Sequence, residues 1–467
     1  MNTTINPKNF KAYDIRGIYP TDINEQNFPD IIRAIYSLFI KDNPTKPLTV
    51  VLGRDMRLSG PVLFEIAKKT LVECGATVID IGLSSTPTMY FTVMKYQYDA
   101  GIQVTASHNP KEYSGIKYLF RKGKQAIKIS KNTGMNEVKD RAINQDFIVQ
   151  SKKGTVIDKP TILVEEVADA FKSVQPKNIR PLTIVADPAN GMGALYVEEI
   201  IKQYPAKLIK MNFNLDGSFP AHQPDPLQFD LLKDLQNRVI KEKADLGIAP
   251  DGDGDRVFFI DEVGSIIPAT MITAIVAREL LRENPGEKIV ADVRYLRNVS
   301  SVVSKLGGKL SICPVGHALI TKQLNDENAI FAGESSGHFY FRDIGGAESA
   351  IRTIFYVIKV IQETKKPLSE IVKELQSSYE SGEFNYVIPE GVETKTVLDK
   401  ITSTFPDGEI SHLDGLSIDY PNWRLNVRSS NTEPIFRLNV EGEGREIVND
   451  NLTKLKDIIV DLGGKPK

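Results

Sequence analysis

An apolar run that stops abruptly recurs three times along this chain. LTVVLGRD (Leu48 to Asp55) is β-branched and apolar until Gly53 stops it. LTIVADPANG (Leu182 to Gly191) and EKIVADVRYL (Glu287 to Leu296) repeat the pattern and stop on an aspartate. Such runs read as buried strands. After the first, Ser59-Gly60-Pro61 reads as a helix start, with Ser59 as N-cap and Pro61 in the first turn. Val62, Leu63, Ile66, Ala67 and Leu71 fall at helical spacing on one apolar face, Gly75 follows, and ATVIDIG reads as the next strand. Strand–helix–strand order implies a mainly parallel sheet. AKLIKMN and GKLSICPVG supply second strands after the other two runs, so three similar α/β units are expected. Their spacing exceeds that of a solenoid repeat, and a chain of 467 residues requires several cores in any case.

Strand ends that stop on small polar residues are where α/β folds place their chemistry. GIQVTA runs into TASHNP (Thr105 to Pro110), which makes Ser107 the candidate reactive group. Alone, Ser-His-Asn-Pro is better read as turn chemistry; the motifs that accompany it reverse that reading. In KADLGIAPDGDGDRVFFI, Asp251, Asp253 and Asp255 alternate with glycines. Three carboxylates this close repel unless something positive sits among them, and hard oxygen donors suit Mg²⁺. An EF-hand loop fails, because Arg256 stands where the sixth-position glycine is needed and VFFI reads as a strand, although Glu262 occupies the twelfth position. In GESSGH, Glu334, Ser336 and His338 alternate, so an extended loop is expected to turn all three to one side. RSSNTEP, between two alternating runs, gathers Arg428, Ser429, Ser430, Asn431 and Thr432, a set suited to a phosphate dianion; a plain hairpin turn is the alternative. Arg16, in KAYDIRG, reads equally as a surface charge or a fixed anion contact.

Composition narrows the function classes. With 41% hydrophobic and 25% charged residues the chain reads as an ordinary globular protein. A net charge of −2 gives no field favouring nucleic acid or an acidic membrane. Cys74 and Cys313, in apolar contexts, read as buried reduced thiols. The N-terminus shows no apolar signal region and no run reaches the length of a membrane span, so a cytoplasmic protein is expected.

TASHNP, DGDGDR, GESSGH and RSSNTEP, in this order and rough spacing, resemble the α-D-phosphohexomutase family in its phosphomannomutase/phosphoglucomutase branch, from KAYDIRG to RSSNTEP. The resemblance implies an α/β fold of three related mixed-sheet α/β domains plus a smaller C-terminal α+β domain around a central cleft. The expected bounds are 1–157 (phosphoserine loop), 158–263 (metal loop), 264–375 (sugar-binding loop) and 376–467 (phosphate-binding loop). It implies that Ser107 carries a phosphoryl group and that Asp251, Asp253 and Asp255 hold Mg²⁺ beside it, with Ser107 itself in the metal set. Glu334 and Ser336 would grip sugar hydroxyls, and Arg428, Ser430, Asn431 and Thr432 the non-reacting phosphate. His108, Lys117, Arg16 and Arg256 would line the reaction centre, with His338, His317 and Arg294 facing the substrate. The implied activity interconverts hexose 1- and 6-phosphates of mannose or glucose, with hexose 1,6-bisphosphate as intermediate and activator. Glucosamine phosphate, a silent phosphosugar-binding protein and a phosphatase are the alternatives. Departures from the family pattern are Ser335 within the sugar motif, Ser429 where many members have proline, and RDIGGAESA, with Glu348 and Ser349, where members carry an Asp-Asp-Gly-like run.

Overall fold

The computed structural model describes residues 4–43, 45–176, 180–389, 391–429 and 435–467. Four β-sheets follow one another along the chain. In sheet I, Thr49–Arg54 lies between Thr77–Leu83 and Ala100–Val104, parallel to both, and Tyr113–Lys122 returns antiparallel beside Ala100–Val104. Sheet II repeats this order. Leu182–Ala186 lies between Ala206–Lys210 and Leu246–Pro250, parallel to both, and Val257–Ile260 returns antiparallel. Sheet III does so again, with Lys288–Asp292 between Lys309–Cys313 and Phe331–Gly333, and Phe339–Phe341 returning. The weak sequence repeat is therefore a strict repeat of strand order.

Parallel neighbours need a crossover, and helices supply it. In the first unit these are Gly60–Glu73 and Thr86–Tyr96, in the second Gly193–Ile201 and Lys233–Glu242, and in the third Arg297–Lys305 and His317–Asp326. Ser59 stands at the N-cap of Gly60–Glu73 as expected, but its side chain makes no capping bond, because its backbone is already helical. Val62 is 46% exposed and lies off the buried face that Leu63, Ala67 and Leu71 form; the apolar stripe is narrower than its spacing suggests.

The third and fourth strands are antiparallel, so they join without a helix. That loop leaves the carboxyl end of the parallel strands at residues 105–112, 251–256 and 334–338. TASHNP, DGDGDR and GESSGH thus occupy one topological position in three copies. The aspartate closing the first strand is equally repeated. Asp55, Asp187 and Asp292 each accept the N–H of the residue two places on, at 2.9 Å in all three cases.

Sheet IV is antiparallel throughout. Trp423–Ser429 and Ile435–Gly442 form its central hairpin, and Leu416–Asp419, Phe384–Val387 and Tyr379–Glu380 flank it. It has its own apolar core, including Val397, Ile401, Leu425, Leu438 and Leu455. By contrast, one apolar cluster runs through sheets II and III and reaches Ile79, Met89 and Tyr90 of the first unit.

Where the first and second units meet, Thr88 Oγ1 donates to Glu166 Oε2 at 2.7 Å. Burial pushes the Glu166 carboxyl up to about 7, against Thr88 and Arg352 and reinforced by Asp169. A raised acid of this kind contributes stability that is complete below the unfolded-state value of 4.5 and is lost as pH rises through about 7. The loss amounts to about 3 kcal/mol. Glu166→Gln should therefore flatten the fall in melting temperature between pH 5 and pH 8; an unchanged pH slope would refute the neutral buried acid.

Candidate active site

Ser107 is 1% exposed and sits at φ +52°, a left-handed conformation for a side chain-bearing residue. Its Oγ lies 3.1 Å from Asp251 Oδ2 and 3.2 Å from His108 Nδ1. The loop 251–256 approaches so closely that a Cβ on Gly252 would stand 2.5 Å from the carbonyl oxygen of Ser107. Gly252 is thus needed for one loop to lie on the other.

Asp251, Asp253 and Asp255 are all buried, and their ligand atoms lie within 4.8 Å of one another. Lys117, on the returning strand of sheet I, donates to Asp253 Oδ2 at 2.7 Å and also to Asp255. Thr86 donates to Asp253 as well. Burial and the carboxylates of Asp255 and Asp253 push Asp251 well up. Asp255 is held low, because Lys117 and His338 outweigh its burial. Asp253 Oδ1 is buried without a hydrogen bond. A crowded anionic pocket with an unsatisfied oxygen fits a hard divalent cation. Glu262, the twelfth position of the rejected EF-hand reading, is turned away to Ser369.

Arg16 is fixed rather than a surface charge. Its Nε and Nη2 meet Asp14 Oδ2 at 2.8 and 2.7 Å, and Nη1 reaches Asn109 of the serine loop. Arg256 Nε stands 4.0 Å from Asp251 and 3.4 Å from His338 Nε2. Burial, together with Arg256, Arg16 and Lys117, holds the His108 imidazole well below its ordinary value.

The sugar motif converges, but not as an extended loop. Residues 334–338 form a turn in which Gly337 N donates to Glu334 O and Glu334 N to His338 O, both at 2.9 Å. Gly337 takes φ +89° to close it. The turn brings Ser336 Oγ to 2.9 Å from His338 Nδ1, and His338 Nδ1 to 3.1 Å from Glu334 Oε2. His338 Nε2 lies 3.3 Å from Asp255, so this ring joins the sugar motif to the acidic loop. Burial opposes its charge, but Asp255 and Glu334 lift it to about 9. Glu334 also accepts from Tyr340 at 2.9 Å and faces Arg294 at 3.3 Å. His317 stacks with His338 at 6.4 Å. Burial, then Lys128 and Lys117, hold it well down.

Arg428 is buried at the end of its strand. It donates to Glu383 at 3.1 Å and faces Asp414 at 3.6 Å. Glu383 also stands 3.9 Å from Arg294, so Arg294 and Arg428 share one carboxylate. Ser430, Asn431 and Thr432 lie outside the described residues. Cys74 and Cys313 are buried free thiols, as expected.

Several contributors carry no motif. Lys128 and Glu348 lie in strands, Thr86 starts a helix and Glu383 directly precedes a strand, and nothing in their neighbours marks their partners. Asp55 and Arg57 did leave a signal, since Asp-x-Arg recurs at 55–57 and 292–294. In the departing segment RDIGGAESA, Glu348 is fully buried and paired with Lys128 across sheets III and I. The Lys128 ammonium lies 4.7 Å from the Tyr90 ring and 5.2 Å from the Tyr340 ring. Ser349 caps the helix Ala350–Thr364.

Family models for the three α/β/α domains of phosphoglucomutase/phosphomannomutase match residues 7–146, 163–264 and 269–379. The chain belongs to this family. It is 37% identical over 445 residues to a phosphomannomutase of Escherichia coli K12, covering 93% of this chain and 95% of that protein. It is 34% identical over 463 residues to a phosphomannomutase of Vibrio cholerae, covering 97% and 98%. A crystal structure of a phosphoglucomutase/phosphomannomutase family protein from Burkholderia thailandensis superposes with a TM-score of 0.87 at 28% identity, covering 99% of this chain and all of that one. Within that family frame the Lys128–Glu348 pair has a definite energetic signature. Lys128→Met leaves a buried carboxylate alone and should destabilise the protein by about 3–5 kcal/mol. Adding Glu348→Met should restore stability to within about 1 kcal/mol of wild type. Denaturant unfolding of the two variants measures both, and equal losses in them would refute the pairing.

Proposed function

We propose that this protein is a phosphohexomutase, interconverting the 1- and 6-phosphates of mannose and/or glucose through a phosphoserine at Ser107 and a hexose 1,6-bisphosphate. The observation that carries this reading is the convergence of three equivalent loops, with Ser107 Oγ 3.1 Å from Asp251 and the acidic loop joined to the sugar motif through His338. Phosphoryl transfer needs charge neutralisation and in-line positioning more than covalent activation, and the site is built for those. Asp251, Asp253 and Asp255, with Ser107, would hold Mg²⁺, which when bound offsets charge on the transferring phosphoryl group. Lys117, Arg16 and Arg256 surround the serine with further positive charge. Glu334 and Ser336 offer acceptors to sugar hydroxyls, and Arg294, His317 and His338 line that face. Arg428, with Ser430, Asn431 and Thr432, is read as the grip on the resting phosphate.

In the return half-reaction Ser107 Oγ bonds to phosphorus, the bond from phosphorus to the sugar oxygen breaks, and the proton lost by Oγ is relayed by His108 Nδ1, 3.2 Å away, to the departing sugar oxygen, which becomes the free hydroxyl. Burial, with Arg256, Arg16 and Lys117, keeps the His108 ring neutral at rest, so it would pass the proton on and not retain it. The four units, bounded near 157, 263 and 375, would each supply one loop to this centre. Among the described residues no helix is long and apolar enough to cross a membrane, and we place the activity in the cytoplasm on a soluble phosphosugar.

The deciding assay supplies mannose 1-phosphate, Mg²⁺ and a trace of hexose 1,6-bisphosphate, with glucose and glucosamine phosphates run in parallel. A mutase yields the 6-phosphate, a phosphatase free phosphate, and a silent binder neither. Ser107→Ala should abolish turnover and remove the covalent phosphate seen by intact mass; full activity in that variant would sink the assignment.

Arg428→Ala tests the phosphate grip. Loss of charge-assisted bonds worth about 1.5–3 kcal/mol lowers kcat/KM by roughly 10- to 100-fold. KM should rise and kcat should fall, because the same grip aligns the transferring end. The variant should also depend more strongly on added bisphosphate. Wild-type constants and activator dependence would reduce Arg428 to a strand-end charge.

A further inference from the structure

Arg57 is 1% exposed and lies behind the serine loop. Its guanidinium is spent on backbone. Nη1 donates to the carbonyls of Pro110 at 2.8 Å and Tyr113 at 3.0 Å, and Nη2 to those of Ser107 at 2.7 Å and Asn109 at 2.6 Å. Its Nε faces Asp55 Oδ2 at 3.3 Å. The same carboxylate oxygen accepts from Thr105 Oγ1 at 2.6 Å, and Thr105 Oγ1 in turn accepts the N–H of Ser107 at 2.9 Å. A closed ring results: the carbonyl of Ser107, Arg57, Asp55, Thr105, and back to the N–H of Ser107. Both sides of the one residue held at φ +52° are bonded to it.

The ring has a counterpart. In the third unit Asp292 and Arg294 stand at the positions of Asp55 and Arg57, with Arg294 Nε on Asp292 at 2.9 Å and Ser335 N on Asp292 at 2.5 Å. There the guanidinium reaches the Glu334 side chain. In the second unit Ala189 replaces the arginine, and its loop is held by Lys117 instead. The second unit also clamps Arg57 from outside. The Phe219 ring lies 5.2 Å from the guanidinium, and a Cβ on Gly217 would stand 2.5 Å from the Arg57 Cα.

We propose that Arg57 is a positioning residue for phosphoryl transfer: with Asp55 and Thr105 it locks the left-handed backbone of Ser107, and so aims Oγ along the line of transfer. This rests on the mutase reading of Ser107. A displacement of about 1 Å at a reacting atom costs on the order of a hundredfold in rate. An ammonium cannot bond four divergent carbonyls, since lysine lacks the planar fork.

The test measures two quantities. Dephosphorylated protein is mixed with glucose 1,6-bisphosphate and Mg²⁺, and phosphate uptake on Ser107 is followed by intact mass after quenching. The KM for the hexose monophosphate is measured separately. Arg57→Lys should slow uptake and kcat by about a hundredfold while KM stays within about twofold of wild type. Thr105→Val, which opens the ring from the opposite side with little change in volume, should give the same kcat-only loss, and Thr105→Ser should restore the rate. Wild-type uptake rates per folded molecule in Arg57→Lys and Thr105→Val, whatever their melting temperatures, would overturn the proposal and leave the mutase reading standing. No uptake by wild-type protein would overturn both. Should Arg57→Lys fail to fold, the Thr105 pair alone decides.

Discussion

Three carboxylates cannot share a buried loop unless a cation stands among them. Lys117 bonds two of the three, Asp253 and Asp255, and it comes from a different unit than the carboxylates do. Two unit charges 4 Å apart at an effective dielectric constant near 20 interact by about 4 kcal/mol, so docking of the first unit on the second stabilises the acidic loop. Removing that contact would leave like charges facing one another in a desolvated pocket. The docking in turn requires Gly252, because the loop lies against the peptide of Ser107. Serine placement, acidic-loop conformation and unit docking are thus one constraint.

The repeat explains why the constraint can be met. Each unit presents its chemistry from the connection between a third, parallel strand and a fourth, antiparallel one. A connection of that kind can be short, rigid and free of a crossover helix. The three copies have diverged in what they carry: a serine, a set of carboxylates, and a glutamate with a histidine. They have not diverged in where they carry it. From Ser107 a line of contacts passes through Asp251 and its loop-mate Asp255 to His338, Glu334, Arg294, Glu383 and Arg428. Opposite charges alternate along most of it, and it crosses all four units.

Much of this was legible in the sequence, and the failures have physical causes. Strands stopped by aspartate were visible because a buried strand must be apolar and its end must not be. The four motifs were visible because glycines, serines and acids cluster where backbone must curl. The alternation in Glu334, Ser336 and His338 misled, since a period of two describes either an extended loop or a turn closed by a glycine at positive φ; only Gly337 distinguishes them, and a glycine is silent about which. Lys128 and Glu348 were not legible at all. A charge inside a strand reads as surface until its partner, over two hundred positions away in sequence, is brought against it. Arg57 was legible only through the repeat, as the twin of Arg294.

The fourth unit differs in how it is attached. Its apolar core is its own, and its seam with the third unit is polar. Glu441, fully buried, accepts the N–H groups of Leu296 at 2.5 Å and of Arg297 at 3.0 Å. Arg424 donates to the Val293 carbonyl at 2.7 Å, and Asn298 to that of Ser378 at 3.0 Å. These bonds gather where the chain enters the unit. Among the described residues, Glu383 faces Arg294 near Arg428, and the N–H of Val315 donates to Asp414 at 2.9 Å. On the proposed mechanism a bisphosphate would present first one end and then the other to Ser107, and one phosphate grip would serve both substrate orientations. A unit with its own core, joined to the third through polar bonds, would meet that need; a grip fused into the shared apolar core would not, because packed cores have no continuous range of positions.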